Sequence, residues 1–170
     1  MRDTQIIYCS KTGFSKRYAQ WLAETLGCRA IPYRERGTAD LEGCGTVILT
    51  GSLWAGKMLG LDWLKKQLPR LAGKRVAALA VGASPEENPN LPGTMEALFG
   101  SVPGIRGFYA QGGLDYPHMG AVDRAMMAMM RSALKRQKGQ EEALRVISAS
   151  FDATDRRFLE PLLAWVREEA

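Results

Sequence analysis

Four runs of almost uninterrupted apolar or β-branched residues recur along the chain: Thr4–Cys9 (TQIIYC), Thr46–Thr50 (TVILT), Arg75–Val81 (RVAALAV) and Ile105–Gln111 (IRGFYAQ). Segments with helical periodicity lie between them, and this alternation limits the fold more than any other feature. A strand apolar at nearly every position is buried on both faces, so it needs a layer on each side. The intervening helix is the crossover that lets neighbouring strands run parallel. The spacing predicts helices over Phe14–Leu26, where Tyr18, Trp21, Leu22, Thr25 and Leu26 share a face and Gly27 is the stop, and over Leu91–Gly100, Val122–Lys138 and Thr154–Glu168. A further helix over Leu61–Leu71 is interrupted by Pro69, and Cys28–Pro32 reads as a short second strand. The expected architecture is α/β, a doubly wound five-stranded parallel sheet. No repeat or linker divides it, so residues 1–170 read as one domain.

Composition narrows the chemistry. At 46% hydrophobic and 24% charged, the chain can build a core and is not of the disordered class. Cys9, Cys28 and Cys44 are scattered, without a C-x-x-C pair, which fits a reducing compartment and neither a disulfide framework nor a zinc site. A Ser-His-Asp arrangement would have to use His118, the single histidine. The N-terminal MRDTQIIYCS lacks the long apolar stretch of a secretory signal, so a cytoplasmic location is expected. The net charge of +5 is too mild to mark a nucleic-acid binder, and no nucleic-acid partner is expected.

In open α/β sheets ligands bind beyond the carboxyl ends of the strands. Three strand ends here carry unusual sequences. Ser10-Lys11-Thr12-Gly13-Phe14-Ser15 offers three hydroxyls around a glycine at a helix start, where free N–H groups favour a phosphate. Simple helix capping would also use Ser or Thr, but one hydroxyl is enough for that. The loop Thr50-Gly51-Ser52-Leu53-Trp54-Ala55-Gly56-Lys57 brackets an aromatic ring with two glycines, suiting a flat ligand or a Trp folded onto the core. Gly82-Ala83-Ser84 exposes backbone groups beside small side chains. Known phosphate signatures are missing: neither G-x-x-x-x-G-K-[ST] nor G-x-G-x-x-G follows the first strand. A Cys-x5-Arg phosphatase loop counted from Cys9 arrives at Ser15, two residues short of Arg17.

Together these loops resemble the flavodoxin family. S-K-T-G-F-S is similar to its [ST]-x-T-G-x-[ST] phosphate loop and G-S-L-W-A-G-K to its G-[SA]-P-x-[YW]-x-G-K loop, with the strand ends in matching order over most of residues 4–112. Gly112-Gly113-Leu114-Asp115-Tyr116-Pro117 and Val122-Asp123-Arg124-Ala125-Met126-Met127 resemble the extension of the subgroup that includes bacterial menaquinone-dependent protoporphyrinogen oxidase. The resemblance implies strand order 2-1-3-4-5, FMN as cofactor, and an extra Met-rich helical segment (118–140) after the fifth strand. By position, Ser10, Thr12, Gly13 and Ser15 would hold the FMN phosphate, with Lys11 and Phe14 adding backbone N–H groups. Ser52, Leu53, Trp54, Ala55 and Gly56 would border the isoalloxazine, and Gly82, Ala83 and Ser84 its pyrimidine edge. Leu53 stands where the family often has Pro, and the third loop lacks the aromatic of short-chain carriers. The chain is basic where carriers are acidic. These departures favour an FMN-dependent oxidoreductase, quinone- or porphyrinogen-linked or served by a redox protein, or a specialised partner over a general electron shuttle, and a non-catalytic partner-binding module of the same fold stands as the alternative.

Asp115, Tyr116 and His118 follow the fifth strand and are weak candidates for moving the proton that accompanies such electrons. In the Met-rich segment Val122, Met126, Met129 or Met130, and Ala133 share one helical face, with Arg124, Arg131, Lys135 and Arg136 around the remainder. The plain expectation is that this face packs on the sheet. The sharper one is peripheral contact with an anionic membrane, placing the protein at its inner face, or with a partner.

Overall fold

The computed structural model describes residues 3–168. Five parallel strands form the sheet: β1 (Thr4–Cys9), β2 (Ala30–Pro32), β3 (Thr46–Trp54), β5 (Arg75–Gly82) and β6 (Arg106–Gln111), in spatial order β2-β1-β3-β5-β6. Strand β4 (Lys57–Met58) pairs antiparallel with the end of β3. Register follows the hydrophobic runs, with Ile6 beside Ile48 and Leu49 beside Ala78.

Alternation along the strands divides the core into two layers. Ile6, Ile48, Ala77, Leu79 and Ala110 point to one face, where α1 (Phe14–Leu26) brings Tyr18, Leu22 and Leu26, and the C-terminal segment brings Phe158, Leu159 and Leu162. Ile7, Val47, Leu49, Val76, Ala78 and Ala80 point to the other, against Leu61 and Leu64 of α2 (Leu61–Gln67) and Leu98 of α3 (Leu91–Phe99). This is the doubly wound, flavodoxin-like arrangement.

Several boundaries differ from the sequence expectation for identifiable reasons. The second strand begins at Ala30, because Gly27 ends α1 in the left-handed region (φ +68°) and the Cys28 N–H returns to the Ala23 carbonyl at 3.0 Å. Pro69 cannot donate into the ladder, so α2 stops at Gln67 and Leu68–Leu71 tightens into a 3₁₀ turn. Near the C-terminus, Arg156–Leu159 is 3₁₀ and the last helix, α6 (Glu160–Arg167), starts only beside Pro161.

The largest correction concerns Thr50–Lys57, read from sequence as a loop. The strand runs on to Trp54 and reverses through Ala55 (φ +49°) and Gly56 (φ +75°), a two-residue hairpin turn with both central residues at positive φ. The helical extension is also longer than 118–140. It leaves through β7 (Gly113–Leu114), passes through α4 (Ala121–Lys135) and α5 (Glu141–Ile147), and returns through β8 (Phe151–Asp152), antiparallel to β7. At that crossing a Cβ on Gly113 would lie 2.0 Å from the Phe151 carbonyl oxygen, so no larger residue fits.

Candidate functional site

The loop between β1 and α1 is tied to β3 through side-chain hydroxyls. Thr50 Oγ1 donates to the Ser15 carbonyl at 3.1 Å, the Ser15 and Ser52 hydroxyls lie 3.1 Å apart, and Ser52 Oγ accepts the Lys11 N–H at 3.1 Å. Ser10 Oγ accepts the Gly13 N–H at 3.0 Å, closing the turn. Gly13 itself sits at φ +106° with nothing within 4 Å of the position a Cβ would take. No side chain caps α1, so the N–H groups of its first turn have no intrahelical acceptor.

Beside this loop runs a narrow cleft of about 50 Å³. Lys11, Thr12 and Phe14 form one wall, Ser52, Leu53 and Trp54 the second, Val81, Gly82 and Ala83 the third, and Gly113 with Leu114 close it. Lys11 Nζ lies 2.7 Å from an Asp123 carboxylate oxygen of α4 and 4.9 Å from the centre of the Trp54 ring. The Trp54 indole nitrogen is buried and has no hydrogen-bond partner. Leu114, Met119 and Met127 pack against Trp54, Ala83 and Tyr116, so the extension rests on the cleft's rim.

The remaining sequence candidates lie elsewhere or already have partners. Ser15 is fully buried, and the Ser84 carbonyl accepts the Tyr109 hydroxyl at 2.6 Å. Ser10 borders a separate open depression of about 300 Å³ shared with Cys9, Lys16 and Arg34. Burial pushes the Cys9 thiol up despite the positive field of Arg36, which leaves it a poor nucleophile. Ala55 and Gly56 form the hairpin tip, outside the cleft lining. Asp115 Oδ2 pairs with His118 Nδ1 at 2.7 Å on the surface. The Tyr116 hydroxyl donates to the Ile147 carbonyl and accepts from Arg131 Nη1 at 2.7 Å, which makes it a tie between α4 and α5. None of these three lines the cleft. Sequence reasoning missed Val81, Gly113 and Leu114 as cleft residues, and Asp123 as the partner of the cleft residue Lys11. A lone acid in the basic stretch 119–140 was the only available signal for Asp123.

Residues 5–141, well over half of the chain, match the flavodoxin-domain family. The chain belongs to that family. Among solved structures, the fold is similar to a candidate flavoprotein from Bacteroides uniformis, at 16% identity and TM-score 0.47, over 65% of this chain and 90% of that one. It is also similar to oxidised flavodoxin 1 from Bacillus cereus, at 13% identity and TM-score 0.40, over 79% and 99% of the two chains. No curated protein matches significantly by sequence.

The residues present fit the phosphate end of the FMN that the family resemblance implies: an uncapped helix start, an open glycine and the Thr12 and Ser10 hydroxyls. The ring needs more room than about 50 Å³, since ligand pockets typically run to about 300 Å³ or more. The enclosed part of the cleft is therefore smaller than the ring. Among the described residues no cluster of three or more His, Cys, Asp or Glu could hold a metal ion.

Proposed function

We propose that the chain binds FMN, with the phosphate at the Ser10–Ser15 turn and the ring beside Trp54, and works as an oxidoreductase on a quinone- or porphyrinogen-like molecule. The observation that carries this reading is the open, uncapped turn at Gly13 directly beside a cleft walled by Trp54 and the Gly82-Ala83 backbone. A bound flavin supplies the electron-accepting chemistry. The chain's own residues grip the phosphate, shield one side of the ring with Trp54, and present backbone groups at Gly82 and Ala83. Lys11 sets the charge at the mouth: paired with Asp123 it is neutralised, and unpaired it attracts an anion.

The test compares FMN with riboflavin in titrations of the wild type and Thr12→Asp. A carboxylate at the turn repels the phosphate monoester alone, so FMN affinity falls by at least tenfold while riboflavin binds as before. Undiminished FMN binding by the variant overturns the reading. Anaerobic titration of the reconstituted, reduced protein with quinones, and of the oxidised protein with protoporphyrinogen, then tests the substrate class. Turnover with neither refutes that part of the proposal.

A further inference from the structure

We propose that the outward strip of α4 docks the protein on an anionic lipid surface. The large hydrophobic side chains exposed among the described residues are Val122, Met126, Met129, Met130 and Val146, and all five belong to α4 and α5. Val122 and Met129 are 74% and 73% exposed. Their spacing places Val122, Met126, Met129 and Met130 on one side of the helix. The inward side is held instead by Met127, packed with Leu114 and Met119, and by Asp123 on Lys11. The expected packing of this face on the sheet is thus reversed, and the strip is a surface feature that the fold leaves uncovered.

The charges beside the strip choose the occupant. Lys135 and Arg136 are exposed at the C-terminal end of the same helix, Lys138 follows, Arg124 is turned inward to the Tyr116 and Pro117 carbonyls, and the only acid from 119 to 140 is turned inward to Lys11. A second copy docked by a two-fold axis would bring these cations against themselves, which disfavours self-pairing. A lipid surface carrying negative headgroups satisfies both halves of the pattern. Unbranched methionines enter the acyl boundary while the flanking cations meet headgroups. The helix would lie along the surface, since no helix among the described residues is long and apolar enough to cross a membrane.

This inference stands apart from flavin binding, and its test uses no flavin. The full chain is sedimented with vesicles of phosphatidylcholine alone or containing phosphatidylglycerol, at low and at high salt. Expected are co-sedimentation with the phosphatidylglycerol vesicles only, about fivefold weakening for Lys135→Gln or Arg136→Gln, and about tenfold for Met129→Asp. All three sites are exposed, and unchanged circular dichroism verifies folding. Equal or absent binding to the two vesicle types at low salt overturns the proposal. So does wild-type binding by Met129→Asp, or a dimer in sedimentation velocity that this variant dissociates, which would make the strip a protein interface.

Discussion

Replacing Tyr18 by Phe removes a single oxygen that ties three parts of the molecule together. The residue is fully buried in the middle of α1. Its hydroxyl donates to the Gln111 carbonyl at 2.5 Å, at the end of β6, and accepts the Asp155 N–H at 3.1 Å, where the chain returns from the extension. Phe retains the ring's packing, including the edge contact with Trp21 at 5.4 Å. The loss is therefore two hydrogen bonds and their stranded backbone partners, about 2–3 kcal/mol or a fall of about 5–10 °C in Tm. Burial also pushes the phenol from 10.0 up to about 12, so folding favours its protonated form. Because the folded value is raised, this stabilisation is fully present below pH 10 and disappears as pH rises through about 12. A two-unit shift corresponds to about 2.7 kcal/mol, of the same size as the hydrogen-bond estimate. Urea unfolding of wild type and Tyr18→Phe should thus show a wide gap at pH 8 that is roughly halved near pH 11 and nearly closed above pH 12. A gap constant across that range, or a variant as stable as wild type at pH 8, would refute the reasoning.

Three further outcomes follow from the same contacts. Asp123→Asn should tighten FMN binding by about fivefold by freeing the Lys11 charge, whereas Lys11→Ala should weaken it by about tenfold by leaving a carboxylate at the mouth; fluorescence titrations shifting in the same direction would disprove this charge account. Gly113→Ala should cost about 3 kcal/mol and open the extension to limited proteolysis, because its Cβ would collide with the Phe151 carbonyl; a wild-type unfolding curve contradicts this. Burial alone would raise the Asp152 carboxyl, but hydrogen bonds from Thr154 and Arg17 hold it below 3.8. Its stabilisation is present above that value and lost as pH falls through the depressed one, so the advantage of wild type over Asp152→Asn should shrink in acid titrations below pH 4.

The sheet was legible because its strands are buried on both faces. TVILT and RVAALAV can sit only in the middle of a layered structure, and α1 carries its periodic face over thirteen residues with its glycine stop immediately after. The loop chemistry at Ser10–Ser15 was legible as a pattern, yet its internal wiring was not. That Ser15 turns inward to Ser52 depends on β3 lying beside β1, a pairing between residues 37 positions apart. The Trp54 hairpin was missed because Ala55 gives no local sign of a positive φ, which the β3–β4 pairing imposes.

The extension shows the same limit most clearly. Its amphipathic period announced a helix, but periodicity states only that one face differs from another. Which face turns inward was settled by where β7 and β8 meet, and by the Lys11–Asp123 contact 112 residues apart in sequence. Local spacing and burial patterning thus determined the main strands and helices, and the loop motifs carried the family resemblance. Long-range packing alone decided that Asp123 pairs with Lys11 beside the cleft, that Tyr116 braces two helices, and that four apolar side chains of α4 face outward. Such choices depend on contact energies between distant segments, which no window along the chain contains.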